Sequence, residues 1–304
     1  MARFGTVMTA MVTPFSADLA LDLDGAGGLA RRLVEDGNDG LVLCGTTGEG
    51  PTLTDEERVD LWRAVRRAVD VPLLAGSTTN DTAHSVELTR AAAEAGMDGI
   101  LAVTPYYNRP SQAGLDLHFR TVAAATDLPM VLYDIPVRSG RRISTELMVR
   151  LAHEVPSIVG VKDASGDLAG AARLVAEAPD DFEVYSGEDV LTLPLVAVGA
   201  VGVISVAGHW AAALQAEMIA AFTKGDVDRA RHVNARLLDS FAYESSDDAP
   251  NPVPAKMMLD VLGYPAGECR PPMGPPPPDL RDRAHRVAAD LGLIAAEPEV
   301  RRRD

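Results

Sequence analysis

The chain has 304 residues, 47% of them apolar and 24% charged, which excludes a wholly disordered or fibrous protein. A net charge of −16 disfavours nucleic acid and anionic membrane surfaces as partners. Only two cysteines occur, Cys44 and Cys269. That number excludes a disulfide scaffold and a four-thiolate zinc site, and it suits a reducing cytoplasm.

The N-terminus carries Arg3, and its apolar stretch is broken by Thr6, Thr9, Thr13 and Pro14, a pattern that predicts no secretory signal. Eight short, β-rich apolar runs follow: VMTAMV (7–12), GLVLC (40–44), PLLAG (72–76), GILAV (99–103), MVLYD (130–134), IVGVK (158–162), FEVYS (182–186) and GVISV (202–206). Most are apolar at successive positions, as strands are when both faces are covered. Helical segments separate them, for example 55–69 and 82–96; the second has Asn80 and Asp81 before it as caps and Gly96 to end it. Eight βα units predict a (β/α)8 TIM barrel, although spacing alone does not separate it from an open doubly wound sheet.

Residues 190–216 carry no formal charge over 27 positions, the length of a membrane span. Pro194, Gly199, Gly202 and Gly208 cut the run into pieces, and GVISV reads as a buried strand, so no span is predicted. Beyond 208 the pattern is helical at 210–223, 226–242, 253–262 and 279–292. The expected division is a catalytic barrel over 1–223 and a C-terminal helical region over 224–304. Within that region RPPMGPPPPDL (270–280) reads as a stiff, extended connector, and EPEVRRRD as a frayed tail.

In a barrel, reactive groups belong where strands end. Of the 28 basic residues only three are lysines, Lys162, Lys224 and Lys256. Lys162 ends IVGVK. Desolvation there would favour the neutral amine, at a cost to the ammonium of about 4 kcal/mol if its pKa fell to neutrality, and a neutral amine can form a Schiff base with a ketone. The alternative is a structural ion pair with Asp163 or Glu188. Tyr133 ends the preceding strand and can relay protons, or it is a satisfied core tyrosine. Thr46 and Thr47 in GTTGEG can offer hydroxyls and backbone N–H groups to a carboxylate, or form only a tight turn; the P-loop spacing and lysine are missing. Arg138 can grip a second carboxylate in bidentate fashion, or lie on the surface. Lys224 reads as solvated and Lys256 as structural. The six histidines show no HxH or HExxH spacing and no dinucleotide fingerprint follows the first strand, so neither a metal nor a nicotinamide or flavin cofactor is expected.

GTTGEGPTLTDEE, TPYYNRPSQAGL, LYDIPVRSG, GVKDASGD, YSGED, GVISV and NPVPAK occur in order over about residues 4–295. Together they resemble the dihydrodipicolinate synthase family, within the pyruvate-dependent class I aldolase and N-acetylneuraminate lyase superfamily. The resemblance implies a (β/α)8 barrel with C-terminal helices, a cytoplasmic homotetramer built from tight dimers, no cofactor, and pyruvate and L-aspartate 4-semialdehyde as substrates on the diaminopimelate route to lysine. It makes Lys162 the Schiff-base lysine and Tyr133 the proton relay, with Thr46 and with Tyr107 reaching into the neighbouring subunit. Thr47 would hold the pyruvate carboxylate and Arg138 the semialdehyde, with Gly187 and Ile204 lining the pocket. The paired threonines and Arg138 set the chain apart from sugar-acid aldolase relatives, the alternative reading. One departure concerns feedback. Where lysine-inhibited members place polar or aromatic residues, this chain has Gly50, Pro51, Asp55, Arg58 and His84, while Asn80 and Tyr106 are retained; weak or absent lysine inhibition is expected.

Overall fold

The computed structural model describes residues 2–295. Its elements run β1 (Val7–Ala10), α1 (Leu23–Glu35), β2 (Gly40–Leu43), α2 (Asp55–Ala68), β3 (Leu73–Gly76), α3 (Thr82–Glu94), β4 (Gly99–Val103), α4 (Gln112–Ala123) and β5 (Met130–Asp134). There follow α5 (Pro136–Ser139), α6 (Thr145–Glu154), β6 (Ile158–Asp163), α7 (Leu168–Glu177), β7 (Glu183–Ser186), α8 (Thr192–Ala197), β8 (Gly202–Ser205), α9 (Gly208–Thr223), α10 (Val227–Tyr243), α11 (Val253–Val261) and α12 (Leu280–Asp290). The eight strands pair in parallel and in chain order. β8 returns to β1 through Val7–Val203, Met8–Ile204 and Thr9–Ser205, closing the barrel that strand spacing left open.

Two apolar bodies hold it. One fills the barrel and includes Phe4, Met8, Val42, Leu74, Leu101, Val131, Tyr185 and Ile204. The other lies between strands and helices and includes Trp62, Phe119, Leu41, Leu73 and Ile100, all wholly buried. Each such side chain contributes roughly 1.5–3 kcal/mol of transfer free energy. The two-sided burial explains why the strands read as continuous apolar runs.

The strands end where the chain must turn into the site. β1 stops at Ala10, two residues early, because the Val12 N–H leaves the ladder to donate to Nε2 of His209 at 3.1 Å. β2 stops at Leu43 because Cys44 takes a left-handed φ of 57°. At Gly76 a Cβ would lie 2.6 Å from the Cys44 carbonyl oxygen, so only glycine lets β3 pass beneath that turn. α2 opens with a full capping box: Thr54 Oγ1 accepts from the Glu57 N–H, and the Glu57 carboxylate accepts from the Thr54 N–H.

The uncharged stretch 190–216 divides into α8, β8 and the start of α9, and no helix among the described residues is long and apolar enough to cross a membrane. The proline-rich segment departs from expectation. It folds back on the barrel: the Arg270 guanidinium grips both Glu57 carboxylate oxygens at 2.8 and 2.6 Å and also donates to the Leu19 and Thr52 carbonyls. This anchor turns the expected connector into part of the wall of the site. The tail EPEVRRRD lies outside the described residues.

Candidate active site

The C-terminal ends of β2, β5 and β6 bring the sequence-selected groups together. Tyr133 and Lys162 are partners in the ladder between β5 and β6, and the Lys162 nitrogen sits 4.5 Å from the Tyr133 ring centre. Lys162 is 4% exposed. Loss of hydration lowers its pKa from 10.5 to about 8; Arg138 pushes the same way, while Asp189, Glu244 and Glu188 oppose. The shift disfavours the ammonium by roughly 3 kcal/mol. Burial raises the Tyr133 phenol to about 12, against the pull of Arg138 and the Thr46 hydroxyl. The phenol thus keeps its proton at neutral pH while its neighbour can shed one. Among the described residues no ion pair to Lys162 is formed, and Asp163 turns Oδ1 to the Ser165 N–H at 2.8 Å.

Beside this pair opens a cavity of about 310 Å³, lined by Thr46, Tyr133 and Arg138 and also by Arg58, Tyr106 and Met273. Tyr133 is on that lining and Lys162, 4.5 Å from its ring centre, is not. Thr47 is 2% exposed, its Oγ1 accepting from Asn251 Nδ2 at 2.9 Å. Ile204 lies deeper, in the barrel interior, and Gly187 packs its N–H on the Asp163 carbonyl at 2.7 Å; neither lines the cavity. A Cβ at Gly187 would fall 2.9 Å from that of Ala164, so the chain passes there only as glycine. Tyr107 is not gathered with the others. It is 90% exposed with φ at 71°.

Asn251, Pro272, Met273 and Glu49, the partner of the structural Lys256, escaped sequence reasoning. Asn251 opens the NPVPAK motif and orients Thr47. Pro272 and Met273 enter the lining because Arg270 ties their segment down. Glu49 and Lys256 form a buried ion pair at 2.8 Å that joins the β2 turn to α11, with Arg270 N–H donating to the other Glu49 oxygen at 2.8 Å. Among the described residues no three His, Cys, Asp or Glu side chains are grouped so as to hold a metal ion.

Residues 3–290 match the Dihydrodipicolinate synthetase family. The chain is 48% identical to the 4-hydroxy-tetrahydrodipicolinate synthase of Moorella thermoacetica over 96% of this chain and 100% of that protein. It is 52% identical to the enzyme of the same name from Acidothermus cellulolyticus, over 90% and 87%. Its fold matches a Cyanidioschyzon merolae DHDPS crystal structure with lysine bound at a TM-score of 0.94, with 39% identity and coverage of 97% and 100%. With whole-chain similarity and a closed barrel that places a buried lysine beside a tyrosine, the chain belongs to the dihydrodipicolinate synthase family.

Proposed function

We propose that this protein is a 4-hydroxy-tetrahydrodipicolinate synthase that condenses pyruvate with L-aspartate 4-semialdehyde through Lys162, the reaction that leads toward diaminopimelate and lysine. The observation that carries the assignment of the site is the buried Lys162 amine, its proton affinity lowered, in register with Tyr133. The neutral amine attacks the ketone carbon of pyruvate, and loss of water leaves an imine. Removal of a methyl proton gives the enamine, whose carbon attacks the semialdehyde carbonyl. The amino group of the acceptor then displaces Lys162 and closes the ring. Tyr133, with Thr46, supplies and recovers protons at the carbinolamine and at the new alkoxide. Thr47, steadied by Asn251, receives the pyruvate carboxylate, and Arg138 at the cavity mouth holds the carboxylate of the acceptor. Gly187 and Ile204, which do not line that cavity, would stand behind the keto acid, beyond the lining.

Tyr107 is the outlying member, and its 90% exposure on a left-handed backbone supports a role in the site of a second copy within a homotetramer. The chain divides functionally into a barrel over 1–223 and a helical region over 224–304. That region supplies Asn251, Pro272 and Met273 to the site. Two free cysteines, Cys44 and Cys269, accord with the cytoplasm.

Borohydride reduction in the presence of pyruvate, followed by peptide mapping, tests the mechanism. A stable adduct on Lys162 is expected, and its absence with active protein refutes the role given to that lysine. Coupled turnover with aspartate semialdehyde then tests the acceptor.

A further inference from the structure

Glu244 directly follows α10, yet its side chain turns inward. The residue is 9% exposed, and its Oε1 is shut off from solvent with no donor in reach. An ionised carboxylate would leave that oxygen with nothing to replace its lost hydration, which favours the neutral acid. Its neighbour Asp189, at the start of the short turn after β7, is placed quite differently. Asp189 Oδ2 accepts from the Val206 and Ala207 N–H groups at 2.8 and 3.2 Å, and Oδ1 accepts from Gln215 Nε2 at 2.5 Å. Of the two acids, Asp189 is therefore built to accept and Glu244 is left to donate. The charged groups that face Lys162 are Asp189, Glu188, Glu244 and Arg138, and Asp163 in turn faces Glu188.

We propose that Glu244 is a positioning residue for Lys162: as a neutral acid it donates a hydrogen bond to Asp189 and so limits the negative charge that Asp189 presents to the amine. Burial first, then the charge of Asp189, the hydrogen bond to it and the charge of Glu188, all push Glu244 well above the ordinary carboxyl range, and only Lys162 opposes. Without the donor, Asp189 would attract the Lys162 proton more strongly, and less free amine would be present at neutral pH. Glu188 and Asp189 already face the amine, and a charged Glu244 would add to the negative field that holds it as ammonium. The proton kept on Glu244 limits that field. This inference rests on the reading of Lys162 as the imine-forming residue.

The test is the pH dependence of pyruvate and borohydride trapping at Lys162 in the full-length wild type, Glu244→Gln and Glu244→Ala. The Gln amide still donates to Asp189, so its pH midpoint should match that of the wild type. In Glu244→Ala the midpoint should rise by about one pH unit, read as trapping about tenfold slower below it. An unmoved midpoint in the Ala variant, or a Gln variant that moves with it, overturns the proposal. Should Glu244→Ala fail to fold, isotope-edited infrared spectra decide. A protonated-carboxyl band present in the wild type and missing in Glu244→Gln is expected, and no such band in the wild type overturns the proposal. A wild type that traps no pyruvate condemns the role of Lys162 instead, while the infrared band still reports on Glu244.

Discussion

Tyr133 and Lys162 face each other across paired positions of neighbouring strands, and the two side chains divide one proton problem between them. Burial acts on both by penalising charge, but with opposite results. It keeps the phenol protonated, since its charged form is the anion, and it frees the amine, since its charged form is the cation. Donor and nucleophile thus coexist at one pH. Tyr133→Phe should preserve the fold, because the ring remains in the barrel core, while kcat falls by about 10²–10⁴-fold. Steady-state kinetics beside a circular dichroism spectrum check this, and a Phe variant with wild-type kcat would remove Tyr133 from the relay.

The pH profile follows from the same burial. Imine formation needs the neutral amine, so the rate of pyruvate trapping should climb with pH through about 8 and level off above it. Stability moves with it. Between about 8 and 10.5 the unfolded lysine binds a proton that the folded one has shed, so the contribution of this group to stability rises with pH across that window. Trapping rates from pH 6 to 10 measure the first effect. A flat profile would mean that the amine is already free at pH 6.

Arg138 separates the two halves of the reaction. Arg138→Ala should leave pyruvate trapping at Lys162 intact, apart from a small upward shift of its pH midpoint, because the guanidinium is one of the groups that lowers the lysine. The KM for aspartate semialdehyde should rise about ten- to a hundredfold, the worth of a charge-assisted bidentate contact. Separate titration of the two substrates shows the split. Equal damage to pyruvate trapping would place Arg138 with the first substrate.

The positions where the family resemblance places lysine binding hold side chains that here are already engaged. Arg58 is buried, donating to the Gly50 carbonyl at 2.6 Å and to the Gly76 carbonyl at 3.3 Å, and His84 Nε2 lies 2.9 Å from Asp55. Gly50 and Pro51 add no polar side chain to the cavity wall that they line. Inhibition by lysine at physiological concentration should be weak, and assay of initial rates against added lysine tests it. Half-inhibition at micromolar lysine would show that a competent site survives these replacements.

The barrel was legible because the strands are short, most are apolar on both faces, and most are followed by a helix with its own side-chain N-cap, all of which are local features. Lys162 and Tyr133 were legible for a related reason: a polar group at the end of an apolar strand stands out, and the order of the strands made the two adjacent. What stayed hidden was set by contacts distant in sequence. Thr47 and Asn251 lie 204 positions apart, and nothing in NPVPAK alone says that its asparagine will reach the β2 turn. The proline-rich segment looked like a spacer because its composition is that of one. Only Arg270, held by Glu57 213 positions away, shows that it is bound to the barrel. Glu244 is one acid at the end of an amphipathic helix, where solvent exposure is the ordinary expectation.

The Glu49–Lys256 pair offers the clearest separation of structure from chemistry. Both side chains are almost wholly buried, Glu49 holds a left-handed φ of 52° in the turn that carries Thr46 and Thr47, and the Lys256 nitrogen also donates to the Glu268 carbonyl and lies 4.3 Å from the Phe15 ring centre. Burial lowers the lysine pKa and Glu49 raises it, so each charge is tolerable only beside the other. Lys256→Met should therefore destabilise by about 3–5 kcal/mol, because Glu49 would be left as an unpaired buried carboxylate. Lys256→Met with Glu49→Gln should recover most of the loss, since no unpaired charge remains. Denaturant titration of the three variants decides. The single variant should also weaken pyruvate binding through the displaced β2 turn without abolishing the Lys162 adduct. A Lys256→Met protein as stable as the wild type would show that water reaches Glu49, and that the turn is held by Arg270 and the Thr13 hydroxyl bond to the Gly48 carbonyl at 2.6 Å instead.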